Sequence, residues 1–349
     1  MTAHGTQLLA EIGEQPEVLT RLLKDGWAEV VEAAEQIRKF KPEWVLIAAR
    51  GTSDNAARYA QYLFGAHHKL GVALAAPSLV TLYGVAPKLD RALTIGISQS
   101  GQSPDVVSVI EAARQQGGAT LAITNDPKSP LAQAARACVQ LRTGEEKAVA
   151  ATKTYTASLM SLAMLSVALD GSHARRQELQ NVPEAVATAL ATARAGMDTV
   201  AAEFKNDQRF VVIGRGFNYC TAFEIALKMK ETSYAVAEPY SVADLLHGPV
   251  AMIDEGFPVI LAAPSGLGSD VDKLLAVIEK RKARLLTISD RPEVLERSHA
   301  RIALPSGVPE WISPIVTIAP GQVWARSLAL AKGNDPDVPR GLAKVTLTH

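Results

Sequence analysis

Short aliphatic runs alternate with longer amphipathic segments along most of the chain. Helical periodicity covers about residues 8–40, where Gly13, Pro16 and Gly26 interrupt it. Five aliphatic runs follow in the first half, at residues 44–49, 72–75, 92–97, 119–124 and 138–141. Nearly continuous apolar runs predict strands that are buried on both faces, so we expect a parallel sheet with helices on both sides.

The second half of the chain repeats this order. Arg50 corresponds to Arg215, and Gly101 to Gly266, each pair being 165 residues apart. The segments LAITND and LLTISD align at 164 residues, and Leu141 aligns with Leu304 at 163. Matches in the same order at a nearly constant offset indicate a duplicated α/β unit. We therefore predict two domains, at residues 1–198 and 199–349.

Length and composition agree with two globular domains, since 349 residues with 48% apolar content can bury two cores. Basic and acidic residues are equal at 36 each, which favours neither a nucleic-acid nor a membrane partner. Glu11 and Glu14 interrupt any signal-peptide core, and the apolar stretch 157–169 predicts a buried helix too short to span a bilayer. Cys138 and Cys220 predict two buried thiols without a disulfide or zinc site. We expect a cytoplasmic protein.

Two hydroxyl-rich segments, RGTSDN and SQSGQSPD, directly follow predicted strands and precede helices. A small-residue turn at a helix N-terminus presents backbone N–H groups and a positive dipole end, which together stabilise an anion. An ordinary turn with Ser103 capping the next helix is the competing interpretation. The matching second-half segments, RGFNYC and AAPSG, have lost most hydroxyls. The sequence contains no nucleotide-binding motif, so we expect no cofactor.

Three segments carry candidates for acid and base chemistry. Glu224, Lys228 and Glu231 fall on one face of a predicted helix at residues 219–234. His247 precedes a Gly-Pro turn, and Lys344 lies in a stretch that resembles a tail. The pattern alone leaves the alternatives open: a solvated salt-bridge stripe, a structural histidine and a solvated tail lysine. No metal is expected.

The motifs RGTSDN, SQSGQS, ALKMKE, LLHGP and PRGLAK, in this order, resemble the tandem sugar isomerase (SIS) domains of glucosamine-6-phosphate synthase and of the sugar-isomerase-type glucosamine-6-phosphate deaminases. The resemblance covers essentially the whole chain, including EIGEQPEVL and VAATKTYT. It implies an α/β fold of two αβα sandwiches, each flavodoxin-like with a parallel sheet flanked by helices.

The resemblance also implies roles for individual residues. Glu231 is then the base that moves a proton between C1 and C2, and Lys228 is the active-site lysine beside it. His247 is the ring-opening histidine, supplied by the other subunit of a homodimer, and Lys344 is a lysine that can form a Schiff base. The hydroxyl and amide side chains implied to bind the sugar phosphate are Thr52, Ser53, Ser98, Gln99, Ser100 and Ser103.

Some positions depart from the family pattern. Thr2 stands where the synthase has its glutaminase cysteine, Ala151 replaces a serine in VAATK, and Ala243-Asp244 replaces Gly-Glu before LLHGP. We therefore expect an enzyme without a glutaminase domain, which converts glucosamine-6-phosphate to fructose-6-phosphate and ammonia. The alternatives are a fructosamine-type deglycase, a galactosamine-phosphate deaminase or isomerase, a plain isomerase, and a sugar-phosphate sensor without catalysis.

Overall fold

The computed structural model describes residues 4–266 and 270–344. The chain forms two compact units, each built on its own five-stranded sheet. The first-sheet unit comprises Glu17–Glu146, Lys153–Asn181 and, at the end of the described chain, residues 343 and 344. The second-sheet unit comprises residues 4–16, Lys147–Thr152 and residues 182–342. Within the described ranges, no helix is both long and apolar enough to cross a membrane.

Three helices open the chain, as the periodicity predicts. They are α1 (Thr6–Gly13), α2 (Gln15–Asp25) and α3 (Trp27–Phe40). The break between α2 and α3 requires glycine at position 26, because a Cβ there would lie 2.7 Å from the carbonyl oxygen of Leu22. Helix α1 belongs to the second-sheet unit and α3 to the first-sheet unit.

The first sheet is fully parallel, with the strand order β2-β1-β3-β4-β5. Its elements and the two helices after them are β1 (Trp44–Ala48), α4 (Thr52–His68), β2 (Gly71–Leu74), α5 (Ser78–Thr81), β3 (Ala92–Ile97), α6 (Pro104–Gln115), β4 (Ala119–Thr124), α7 (Pro130–Ala134), β5 (Ala137–Gln140), α8 (Lys153–Asp170) and α9 (His173–Gln180). Strands β3 and β4 are buried throughout. The predicted two-sided burial is wrong for the edge strands β2 and β5, which have a neighbouring strand on one side only and are partly exposed.

Helices form two groups around this sheet. Helices α3 and α4 pack on α8, and α6 packs with α5 and α7. In the second group, Val106, Ile110 and Leu131 form an apolar core with β1 and β3. Gly96 makes this close packing possible, since a Cβ there would lie 2.6 Å from Leu131. Helix α8 is buried over nearly its whole length, which confirms the buried helix predicted for its apolar stretch.

The second sheet repeats this architecture with the order β7-β6-β8-β9-β10, which matches the first and is the flavodoxin-like order. Its elements are α10 (Val182–Arg194), α11 (Met197–Glu203), β6 (Arg209–Ile213), α12 (Tyr219–Ser233), β7 (Val236–Tyr240), α13 (Val242–Leu246), β8 (Pro258–Ala262), α14 (Asp270–Lys280), β9 (Arg284–Ser289), α15 (Pro292–Leu295), β10 (Ala300–Ala303) and α16 (Ser313–Ala331). Two parallel five-stranded sheets flanked by helices confirm the predicted fold class.

Helix α16 is the buried centre of the second-sheet unit, packed against α10, α11 and α12. Gly321 allows α12 to approach, because a Cβ at this position would lie 2.6 Å from Ile225.

The two cysteines are free, and they differ in burial. Cys220 on α12 is buried, as predicted, whereas Cys138 is only half-buried because it lies on the edge strand β5. Partial burial, with Glu29 and Asp126 nearby, raises the pKa of the Cys138 thiol to about 11. Cys138 is therefore a poor nucleophile near neutral pH.

Candidate active site

The RGTSDN segment forms the turn between β1 and α4. Gly51 takes a positive φ of 53°, which glycine adopts at little cost, and α4 begins at Thr52. Thr52 and Ser53 are half-buried in the first helical turn. Burial raises the pKa of Asp54 in the same turn, while Arg58 and Arg50 act in the opposite direction. The predicted small-residue turn therefore lies at the carboxyl end of a strand, where ligands bind in open parallel sheets.

The SQSGQSPD segment joins β3 to α6 and is folded tightly around Gly101. This glycine has a φ of +63°, and a Cβ here would lie 2.1 Å from the Ser129 hydroxyl. Its carbonyl oxygen accepts a hydrogen bond from the Leu131 backbone N–H at 3.1 Å. The loop is thus held against the start of α7, and no other residue fits in place of Gly101.

Two hydroxyl groups of this loop accept hydrogen bonds from its own backbone. Ser98 Oγ accepts from the Gly101 N–H at 3.2 Å, and Ser100 Oγ accepts from the Gln102 N–H at 3.3 Å. Ser103 occupies the N-cap position of α6, but its hydroxyl does not cap the helix. Ser103 Oγ instead lies 3.5 Å from Ser98 Oγ, longer than usual for a hydroxyl pair. The capping role expected for Ser103 is therefore wrong, and its hydroxyl faces the loop.

An ion pair ties the two loops together. Strands β1 and β3 are neighbours, and Arg50 Nε at the end of β1 lies 2.6 Å from Asp105 Oδ2. The Asp105 side chain is 1% exposed, and its other oxygen accepts the Val106 N–H at 2.8 Å. The second-sheet unit contains the same pair, Arg215 with Asp270. Sequence reasoning missed this clamp, although both of its residues recur at the repeat offset of 165.

The acidic and basic stripe on α12 is buried. Lys228 Nζ lies 2.5 Å from Glu231 Oε2 and 3.5 Å from Glu224 Oε1. The side chains of Lys228 and Glu224 are 3% and 0% exposed, whereas Glu231 is 24% exposed. The alternative of a solvated salt-bridge stripe is therefore wrong. Of the three groups, Glu231 alone reaches solvent to a useful extent, so it is the one that can meet a substrate.

His247 lies in the same unit, directly after α13. Its backbone N–H bonds to Ala243 O at 3.2 Å, and the following Gly248 has a φ of +151°. The residue is exposed. The ring-opening role and the homodimer implied by the resemblance stay predictions.

Lys344, near the end of the described chain, is anchored rather than solvated. Its Nζ donates to Glu146 Oε2 at 2.9 Å, and its side chain is 23% exposed. The same carboxylate accepts from Gln99 Nε2 at 3.2 Å. Sequence reasoning missed Glu146, which stands in GEEKAVAATK just before the segment that carries the family resemblance.

The EIGEQ segment at the N-terminus also has a structural explanation. The Glu11 carboxylate, on a residue 1% exposed, accepts the backbone N–H groups of Lys147 and Ala148 at 2.5 and 3.1 Å. Gln15 donates to Gln322 at 2.8 Å, and Gln322 donates to Thr152 O at 3.3 Å. Both contacts hold the Lys147–Thr152 segment within the second-sheet unit.

Apart from His247, the predicted site residues with side-chain contacts form two groups. In the first-sheet unit, Glu146 joins Lys344 to Gln99 in the hydroxyl-rich loop. In the second-sheet unit, Lys228 and Glu231 form an ion pair on α12. One group is suited to anion binding and the other to proton transfer.

This fold defines a protein with two tandem α/β domains of the same topology. A family model described as the SIS domain matches residues 40–168 and 203–330. The chain therefore belongs to the SIS domain family.

The relatives with high similarity include amino-sugar enzymes. The glutamine–fructose-6-phosphate aminotransferase [isomerizing] of Thermococcus kodakarensis is 36% identical over 350 residues, covering 97% of this chain. The chain spans 57% of that relative's length.

Two solved structures are also similar. A candidate phosphosugar isomerase from Silicibacter pomeroyi has a TM-score of 0.86 at 33% identity, covering 95% of this chain and 100% of its own. The C-terminal domain of glucosamine-fructose-6-phosphate aminotransferase from Francisella tularensis has a TM-score of 0.85 at 27% identity, covering 97% and 99%.

Proposed function

We propose that this protein is a deaminating aldose–ketose isomerase that acts on an amino-sugar phosphate, with glucosamine-6-phosphate as the first substrate to test. The observation that carries the proposal is the Glu231 carboxylate, partly exposed and 2.5 Å from the buried ammonium of Lys228. A carboxylate fixed in this way can serve as a general base whose charge is balanced by its neighbour.

The hydroxyl-rich loop after β3 supports a phosphate-binding role. Ser98, Ser100 and Ser103 present hydroxyls at the N-terminus of α6, and the Gln99 amide adds a donor. The helix dipole at this end favours negative charge, so the loop can replace water around a phosphate without a lysine contact. The neighbouring turn at Thr52 and Ser53 supplies a second helix N-terminus.

One base can serve both steps of the proton transfer, because C1 and C2 are adjacent. In the open-chain aldose, Glu231 removes the C2 proton, and the electron pair moves to give an enol-type intermediate as the C1 carbonyl oxygen gains a proton. Glu231 then returns its proton to C1, which leaves a protonated imine at C2. Water adds to this imine, and ammonia leaves to give the ketose phosphate.

Lys344 supports a covalent route for the last step. Its neutral amine adds to the C2 imine, ammonia departs, and water then hydrolyses the lysine imine to release the ketose phosphate and restore the amine. The contact with Glu146 keeps this side chain in one place. Both routes consume one water and release one ammonia.

The names of the relatives support amino-sugar chemistry in general, since the matched proteins are called glutamine–fructose-6-phosphate aminotransferase or phosphosugar isomerase. Those names concern other proteins, and two features separate this chain from the family pattern. Ala151 stands where the pattern has a serine, and Ala243-Asp244 stands where it has Gly-Glu, which favours testing related sugars as well.

The test is an ammonia-release assay on a panel of phosphorylated sugars. The panel contains glucosamine-6-phosphate, galactosamine-6-phosphate, a fructosamine phosphate and, for the reverse direction, fructose-6-phosphate with ammonium. We expect ammonia and a ketose phosphate from at least one aldose-type amino sugar. Ammonia release from the fructosamine phosphate alone would assign a deglycase instead. Binding of every sugar phosphate without turnover would indicate that the protein is a sugar-phosphate sensor and not an enzyme.

A further inference from the structure

Glu146 carries an unusual set of contacts for a residue in a connecting segment. Its side chain is 0% exposed, and three donors converge on one carboxylate oxygen, Oε2. These donors are Thr154 Oγ1 at 2.8 Å, Lys344 Nζ at 2.9 Å and Gln99 Nε2 at 3.2 Å. The other oxygen, Oε1, accepts the Thr154 backbone N–H at 3.2 Å.

The donors come from three separate segments of the first-sheet unit. Gln99 lies in the loop after β3, Thr154 in the first turn of α8, and Lys344 near the end of the described chain. Gln99 and Lys344 lie 47 and 198 residues from Glu146 in the sequence. One carboxylate therefore fixes the distance between the phosphate loop and the lysine.

A buried carboxylate is costly to desolvate, and that cost is offset only by good hydrogen bonds and a nearby cation. A residue that only caps α8 needs the two contacts with Thr154 and nothing more. An exposed acceptor side chain could make those contacts equally well. The contacts with Gln99 and Lys344 add nothing to a cap. Their presence on the same oxygen indicates a second role for Glu146.

We propose that Glu146 is a positioning residue that holds the amine of Lys344 and the amide of Gln99 in fixed places. Glu146 Oε2 accepts a hydrogen bond from Gln99 Nε2, which sets the orientation of the Gln99 amide, so that the remaining amide atoms face the loop consistently. Its charge keeps the amine of Lys344 at the same carboxylate. The effect on turnover rests on the proposed function, whereas the effect on Lys344 itself does not.

The first experiment measures Lys344 without any substrate. The full chain is reductively methylated with formaldehyde and a borane reagent, and the rate at Lys344 is followed by mass spectrometry against the exposed Lys69 as an internal reference. In the protein without substitutions, we expect Lys344 to react more slowly than Lys69. In Glu146→Gln we expect Lys344 to react about tenfold faster, since a charge-assisted contact is lost.

The matched control is Glu145→Gln, the same change one residue earlier at an exposed position. It should leave the labelling rate of Lys344 unchanged. If Glu146→Gln does not fold, as judged by circular dichroism, Glu146→Asp retracts the carboxylate while keeping its charge and is measured in its place. Equal labelling of Lys344 in the Glu146 variant and in Glu145→Gln would overturn the proposal.

The second experiment uses the ammonia-release assay. Glu146→Gln is expected to lower kcat about tenfold and to raise KM, because both the lysine and the phosphate loop lose their fixed positions. A residue that only caps α8 would lower the melting temperature and leave kcat equal to that of Glu145→Gln, and this result would overturn the proposal. If the unmodified protein releases no ammonia from any sugar, the proposed function fails, and the labelling experiment still decides the role of Glu146.

Discussion

Replacement of Glu231 by glutamine is expected to lower kcat for the deaminating isomerisation by about 10²–10⁴-fold, the range that a positioned general base contributes. Glutamine has nearly the same shape and can still accept a hydrogen bond from Lys228, so the chain should fold normally. The amide cannot take the C2 proton. The measurement is ammonia release under saturating sugar phosphate, together with KM.

Glu238 provides the control for this variant. It lies exposed on β7 in the same unit, so Glu238→Gln makes the same chemical change away from the α12 stripe. This control should retain full turnover. Equal turnover in the two variants would exclude Glu231 as the base.

Replacement of Lys228 by methionine is expected to destabilise the protein by about 3–5 kcal/mol, the usual effect of breaking a buried ion pair by removing one partner. The cation would be lost from beside Glu224, whose side chain is 0% exposed, as well as from beside Glu231. Urea unfolding followed by circular dichroism measures the change.

Lys230→Met is the matched control for this prediction, because Lys230 is exposed on the same helix. It should leave the urea midpoint almost unchanged. Adding Glu224→Gln to Lys228→Met should recover part of the lost stability, since the uncompensated charge is then removed. A Lys228→Met protein as stable as the Lys230→Met control would show that the stripe is not a buried ion pair.

Much of the fold could be predicted from the hydrophobic pattern. Strands β3 and β4 have the predicted bounds because both are central, apolar and closed by polar residues. The edge strands were predicted less well, since exposure on one side changes their composition. The repeat predicted two copies of one topology, and the strand orders of the two sheets agree with it.

The discontinuous make-up of the units was not predictable from periodicity. Residues 147–152 belong to the second-sheet unit, and long-range contacts from Glu11 and Gln322 hold them there. Pattern analysis sees neighbours in sequence, whereas these contacts span more than a hundred residues.

The candidate site was likewise predictable where it depends on neighbouring residues and not where it depends on long-range contacts. The hydroxyl-rich loop was predictable because its residues are contiguous after a strand, and its position at the carboxyl end follows from parallel topology. Burial of Lys228 and the anchoring of Lys344 depend on what packs against them. A solvated salt-bridge stripe and a solvated tail lysine were therefore also consistent with the sequence. Glu146 was missed because two of its three partners, Gln99 and Lys344, lie 47 and 198 residues away in the chain.

In the proposed reaction, Glu231 carries a proton from C2 to C1 of an amino-sugar phosphate. Turnover of glucosamine-6-phosphate in D₂O tests it most directly, with the ketose phosphate analysed by NMR. A carboxylate base exchanges its proton with solvent, so we predict deuterium at C1 in at least part of the fructose-6-phosphate, with ammonia released in equal amount. Product formed by Glu231→Gln at an unchanged rate and with the same deuterium content at C1 would show that another group carries this proton.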